Sequence, residues 1–104
     1  MAQYDVYANP SNSAAAGIPY IVVIQSDLLD ALATRLTVPL AVPDALTKAP
    51  AALCPVVTVK GKRFHALAHF AAPLPSRLLR RPVDNVVAQA NALVSAIDTV
   101  LSGI

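Results

Sequence analysis

Apolar positions recur with helical spacing only near the end of the chain. Val86, Ala90, Leu93, Ile97, Val100 and Ile104 step by four, three, four, three and four, and Val87, Val94 and Leu101 widen the stripe on one side. That period marks one face of an α-helix. Asp84 is placed to be its N-cap, Pro82 bounds it on the N-terminal side, and Gly103 suits the left-handed residue that ends a helix. The helix delivers an apolar residue to position 104. Such an end either docks on its own domain or touches something else.

Before residue 84 the pattern is that of strands. Tyr4, Val6 and Ala8 alternate with Gln3, Asp5 and Tyr7, a short first strand. Residues 9–13 read as a turn, and residues 14–19 as a flexible hairpin arm. Residues 20–25, Tyr-Ile-Val-Val-Ile-Gln, are a continuous β-branched run, a strand buried on both faces. Ser26 and Asp27 break it, and residues 28–33 form either one helical turn or a loop. Residues 34–40 alternate as a strand, with Pro39 confining that end to an edge or a bulge. Residues 41–52 read as loop with a turn of helix at 44–47. Residues 55–59 and 63–68 are strands around Lys60-Gly61-Lys62, a hairpin signal. Residues 74–79 form a short edge strand. Strands followed by one helix predict an antiparallel α+β domain over residues 1–104.

Composition narrows the task more than it names it. The 104 residues are 56% apolar, enough for a core, and the net charge is only +2 with no Trp. Neither a basic field nor a base-stacking platform is visible. No apolar run reaches the roughly 18 residues of a membrane span, and the first residues lack the basic and apolar regions of a secretory leader. A single cysteine, Cys54, predicts a reducing, cytoplasmic setting.

Candidate chemistry is sparse. His65 and His69 lie four apart, which on a strand spans roughly 13 Å and cannot hold one ion. Asp27 and Asp30 read as loop acids bonding nearby backbone, and Cys54 as a buried structural thiol. Lys60, Lys62 and Arg63 form one basic group and Arg77, Arg80 and Arg81 a second, suited either to solubility and edge protection or to an acidic peptide or phosphate partner. There is no phosphate loop, nucleophile elbow or dinucleotide fingerprint. The residues therefore predict no catalytic group, no metal and no cofactor.

Four segments together resemble the CcdB family of bacterial toxins: Gln-Ser-Asp-Leu-Leu-Asp at 25–30, Arg-Leu-Thr-Val-Pro-Leu at 35–40, Pro-Val-Val-Thr-Val at 55–59, and the helix running to Gly103 and Ile104. Their order and spacing agree over nearly the whole chain. The resemblance implies a five-stranded antiparallel sheet, a small side sheet and a long C-terminal helix, a fold related to MazF-type toxins. It implies a homodimer with the terminal helices near the two-fold axis. It also implies a non-enzymatic function, the poisoning of DNA gyrase through its A subunit, neutralised by a partly disordered CcdA-like antitoxin. No membrane contact and no direct DNA binding by the toxin alone is implied.

Carried over residue by residue, the gyrase-binding surface comprises Ser26, Leu28, Leu29, Asp98, Leu101, Ser102, Gly103 and Ile104. The antitoxin would meet Lys60, Lys62, Arg63, Arg77, Arg80 and Arg81. Ser102 stands where the family has Trp, Leu101 where it has Phe, and Asp98 where it has Asn, each removing or opposing gyrase contact. Two alternatives follow. One is a family member that binds an antitoxin and no longer poisons gyrase. The other is a MazF-like ribonuclease, for which Arg35 with Asp27 or His65 is the available set.

Overall fold

The computed structural model describes residues 2–43 and 53–103. The turn predicted at 44–47, and Ile104, lie outside the described residues. Among the described residues, seven strands precede one α-helix: β1 (Asp5–Ala8), β2 (Tyr20–Val23), β3 (Thr34–Ala41), β4 (Val56–Val59), β5 (Lys62–Ala66), β6 (Ala72–Pro75), β7 (Asp84–Asn85) and α1 (Ala90–Ser102). They form one antiparallel sheet in the order β4-β5-β3-β2-β1-β7, with β6 paired to β3 off that path. The five main strands and the side strand agree with the expected fold class. The two-residue β7 is an addition.

The two ends of the path meet through side chains. Thr58 on β4 donates its N–H to Gln89 Oε1 at 2.7 Å, and Gln89 Nε2 donates to the Thr58 carbonyl at 3.5 Å. Lys60 N–H donates to Asp84 Oδ2 at 2.8 Å. One glutamine amide thus offers β4 the donor and acceptor that a neighbouring strand would supply, and the sheet becomes a nearly closed barrel.

Apolar residues fill the inside. Val6, Val22, Val38, Leu40, Val57, Val59, Phe64, Ala66, Val86 and Leu93 form the main core. Tyr7, Ile21, Val23 and Leu79 pack on the other side of the sheet. Ile21, Val22 and Val23 are all buried, so β2 is covered on both faces, as its unbroken apolar run predicts. Between β4 and β5, Lys60 and Gly61 have φ of 51° and 80°, the two-residue turn whose twist matches a hairpin.

Several local readings are corrected. Asp84 is not a helix cap. It pairs with Val6 in β7, and its carboxylate accepts from Lys60 and Asn85. A short 3-10 turn, Val87–Gln89, follows, and α1 starts only at Ala90 with no side-chain cap bond. Tertiary pairing to β1 outcompetes the helical period over residues 84–86, because Val86 is buried in the barrel and its N–H is taken by the Tyr4 carbonyl. Gly103 does end the helix, with φ of 76°.

Pro39 lies in the central strand rather than at an edge. Its neighbours on one side change from β6, which pairs with residues 34–37, to β5, which pairs with residues 40–41. The missing N–H falls in that gap, and the Pro39 carbonyl still accepts from Leu67. Residues 14–19 are not a flexible arm: Ser11 caps a 3-10 turn, Asn12–Ala16, that Gly17 closes at φ 96°. The second hairpin strand stops at Ala66, and the segment predicted as a strand at 74–79 passes into a 3-10 turn, Ser76–Leu78, after Pro75.

Candidate functional site

The connection from β2 to β3 is short, apolar at its tip and firmly held. Ser26 accepts from Leu28 N–H at its start, forming a 3-10 turn, Asp27–Leu29. Gln25 spans the base of the loop, donating to the Leu29 and Thr34 carbonyls and accepting from Leu36 N–H. Asp27 Oδ1 accepts from Gln3 N–H at 2.7 Å, which ties the loop to the chain start. Arg35 is buried beneath it, donating to the carbonyls of Asp30, Leu32 and Thr34 and pairing with the Asp30 carboxylate at 3.4 Å. With its backbone so satisfied, the loop presents Leu28 at 94% exposure, and Leu29 and Leu32 at about half. An apolar tip held this rigidly gains nothing for its own fold.

Beside the loop runs an apolar groove of ≈ 210 Å³, lined by Gln3, Tyr4, Ile24, Leu36, Leu93, Val94 and Ile97. Ile24 and Leu36 flank the base of the loop, and Leu93, Val94 and Ile97 belong to α1. The groove therefore joins the Ser26 loop to the helix face. Further along the helix, Asp98 and Ser102 are exposed, and Leu101 is 80% exposed. Ser102 Oγ donates back to the Asp98 carbonyl at 2.7 Å, so its hydroxyl is engaged within the helix. Gly103 N–H donates to the Thr99 carbonyl. Ile104, the last residue of the expected surface, lies outside the described residues. Only Leu93 and Ala96 of the helix are buried, while Val94, Val100 and Leu101 are not. The wide side of the apolar stripe thus faces away from the core. Gln3, Tyr4 and Leu36 enter the groove without having been named as site residues, although Leu36 belongs to the segment at 35–40. The available signal was Leu36, an apolar residue on the core face of β3 with Val38 and Leu40 that is left partly exposed at the barrel's edge.

The two basic groups are exposed. Lys60, Lys62 and Arg63 surround the β4–β5 turn, and Arg77, Arg80 and Arg81 precede β7. The Lys60 bond to Asp84 brings the turn to within three residues of Arg81, roughly 11 Å along an extended chain. Bonds from the Lys60 and Asn85 backbone N–H groups hold the Asp84 carboxyl below its ordinary value.

The residues considered for a ribonuclease do not converge. Arg35 is spent on loop carbonyls, and Asp27 is bound to Gln3. His65 lies on β5, with Nδ1 3.4 Å from the Cys54 carbonyl oxygen. His69 is not on that strand at all but in a 3-10 turn, Ala68–Phe70, with Nδ1 3.9 Å from Cys54 Sγ. Cys54 thus touches both histidines, which its sequence position did not suggest. Burial pushes its thiol pKa up, the opposite of what a nucleophile needs. Among the described residues no three His, Cys, Asp or Glu side chains gather as a metal site. Among them, too, no helix is long and apolar enough to cross a membrane.

Comparison with solved structures finds the same architecture in a chain described as an endoribonuclease in complex with its cognate antitoxin from Mycobacterial species. The TM-score is 0.75 at 15% identity, covering 97% of this chain and 94% of that one. At that identity the likeness is one of fold. No curated protein sequence matches. Residues 3–103 match the family described as CcdB protein. With the barrel, the side strand and the terminal helix in the order that family implies, the chain belongs to the CcdB family.

Proposed function

We propose that this chain is the toxin of a type II toxin–antitoxin pair and acts, without catalysing a reaction, by inhibiting or poisoning DNA gyrase. The observation that carries the reading is the pair of apolar surfaces left uncovered on a rigid frame: Leu28 and Leu29 on the bonded loop, and Leu101 at the helix end. Membership in the CcdB family supports it. The working surface comprises Ser26, Leu28, Leu29, Asp98, Leu101, Ser102, Gly103 and Ile104, and the partner is the gyrase A subunit. The protein acts in the cytoplasm as a homodimer.

A cognate, CcdA-like antitoxin neutralises it. The similar fold solved with its cognate antitoxin supports such a partner. The exposed groups Lys60, Lys62, Arg63 and Arg77, Arg80, Arg81 supply the positive charge an acidic segment would meet. The neighbour's ribonuclease activity is not part of this reading, because Arg35 is committed to the loop carbonyls.

One observation favours a second reading, a family member that binds antitoxin but does not poison gyrase. Ser102 occupies the position of the family's Trp and turns its hydroxyl back into the helix. Supercoiling and DNA-cleavage assays with purified gyrase separate the two. Gyrase-dependent cleavage is expected, and its absence together with intact antitoxin binding establishes the second reading. Digestion of a naked RNA by the purified chain would instead restore the nuclease.

A further inference from the structure

The β4–β5 hairpin carries a second cleft, on the face away from the core. Register pairs Val56 with His65 and Thr58 with Arg63, so these four residues share one face of the hairpin. Together with Pro43 and Phe64, three of them line a cavity of ≈ 290 Å³: Val56, Arg63 and His65. The walls mix apolar surface with the Arg63 guanidinium and the His65 ring. Val56 is 42% exposed, while Phe64 is buried and packs edge-on against Tyr20. Arg63 is exposed and, among the described residues, has no carboxylate partner; the ion pair found there is Arg35 with Asp30. His65 is steadied by the contact of Nδ1 with the Cys54 carbonyl, which leaves Nε2 as its remaining polar atom. Lys60 and Lys62 add positive potential at the rim.

We infer that this cleft binds a carboxylate side chain of an acidic peptide next to an apolar one, the carboxylate on Arg63, the apolar group against Val56 and Pro43, and a peptide N–H on His65 Nε2. The guanidinium fork matches a carboxylate bidentately. The volume sits at the low end for ligand pockets, roughly 300 Å³, which suits one or two side chains. A nucleic acid fits less well, because single-strand binding needs exposed rings for stacking and Phe64 is covered. As the seat of the antitoxin the cleft rests on the toxin–antitoxin reading; as a peptide site it stands on its geometry alone.

The test is an NMR titration of the full chain with the peptide acetyl-Leu-Glu-Leu-Asp-Leu-Glu-amide, and with its Gln/Asn isostere, at roughly physiological salt. Amide shifts are expected at Val56, Arg63, Phe64 and His65. Arg63→Gln and, independently, His65→Phe should weaken binding, the former about tenfold or more, whereas Asn91→Ala, exposed on the helix, leaves it unchanged. Equal binding of the isostere, equal loss from Asn91→Ala, or shifts elsewhere on the barrel overturns the inference. So does tighter binding of hexauridylate at the same amides, which would make the cleft a nucleic-acid site. Antitoxin affinity unchanged by Arg63→Gln removes the cleft from the antitoxin interface and leaves the toxin reading standing. Failure of the wild-type chain to act on gyrase leaves the peptide result untouched.

Discussion

At the scale of single residues, two side chains separate function from folding. Ser102 sits on an exposed helix end, so a larger side chain there meets no packed neighbour. A Trp would restore buried area and stacking at an interface centre, worth roughly 2–4 kcal/mol, or about 30- to 1000-fold in affinity. Ser102→Trp is therefore expected to strengthen gyrase pull-down without lowering the unfolding midpoint, and deletion of Gly103 and Ile104 to abolish any gyrase effect. Equal binding by wild type and Ser102→Trp, with a fully toxic truncation, would falsify the helix end as the working surface. Arg35 is the opposite case. Its donors satisfy three loop carbonyls, so Arg35→Ala should destabilise the fold by about 2–3 kcal/mol in urea. A catalytic arginine would instead lose activity at unchanged stability.

At the scale of elements, the barrel seam and the loop are the informative parts. Gln89→Ala removes both bonds to Thr58 and should cost about 1 kcal/mol, with faster hydrogen exchange at the Thr58 amide and little change in β2. Asp84 adds a pH dependence. Its folded pKa is lowered from 3.8, first by the Lys60 N–H and then by the Asn85 N–H. Its stabilisation is therefore complete above that value and is lost as the pH falls through the lower folded pKa. The stability gap between wild type and Asp84→Asn should narrow on acidification from roughly pH 6 to below 4; a constant gap would assign it to packing rather than charge. On the loop, Leu28 is almost fully exposed, so Leu28→Ser is expected to leave the urea midpoint unchanged and to weaken gyrase capture.

At the scale of the whole molecule, apolar side chains outside the core remain exposed. The Cα radius of gyration of 12.6 Å matches the roughly 13 Å of a compact chain this long. The core is therefore already closed, yet Leu36, Val87, Val94, Val100 and Leu101 remain at 36% exposure or more. Such a surplus supports the proposed two-fold interface. A dimeric mass is expected by light scattering at micromolar concentration, and a monomeric mass there would remove the two-fold arrangement from the proposal.

Much of this was legible in the order of residues, and the boundary has a physical basis. The β-branched run at 20–25 carries its burial in its own composition, and Lys60-Gly61 carries the positive φ of its turn. Both are local, so the chain states them directly. The apolar stripe of the last segment likewise announced a helix and its glycine stop. What it did not contain was the competition at residues 84–86, where pairing with β1, eighty residues away, replaces the first helical turn. Pro39 read as an edge residue because proline lacks a donor, yet only the hand-over between β6 and β5 reveals a central position that needs none. The segments around 26–29 and 101–103 were visible as motifs. The groove joining the loop to the helix face, the fate of Arg35, and the meeting of Cys54 with His65 and His69 were decided by long-range contacts, which no spacing along the chain encodes.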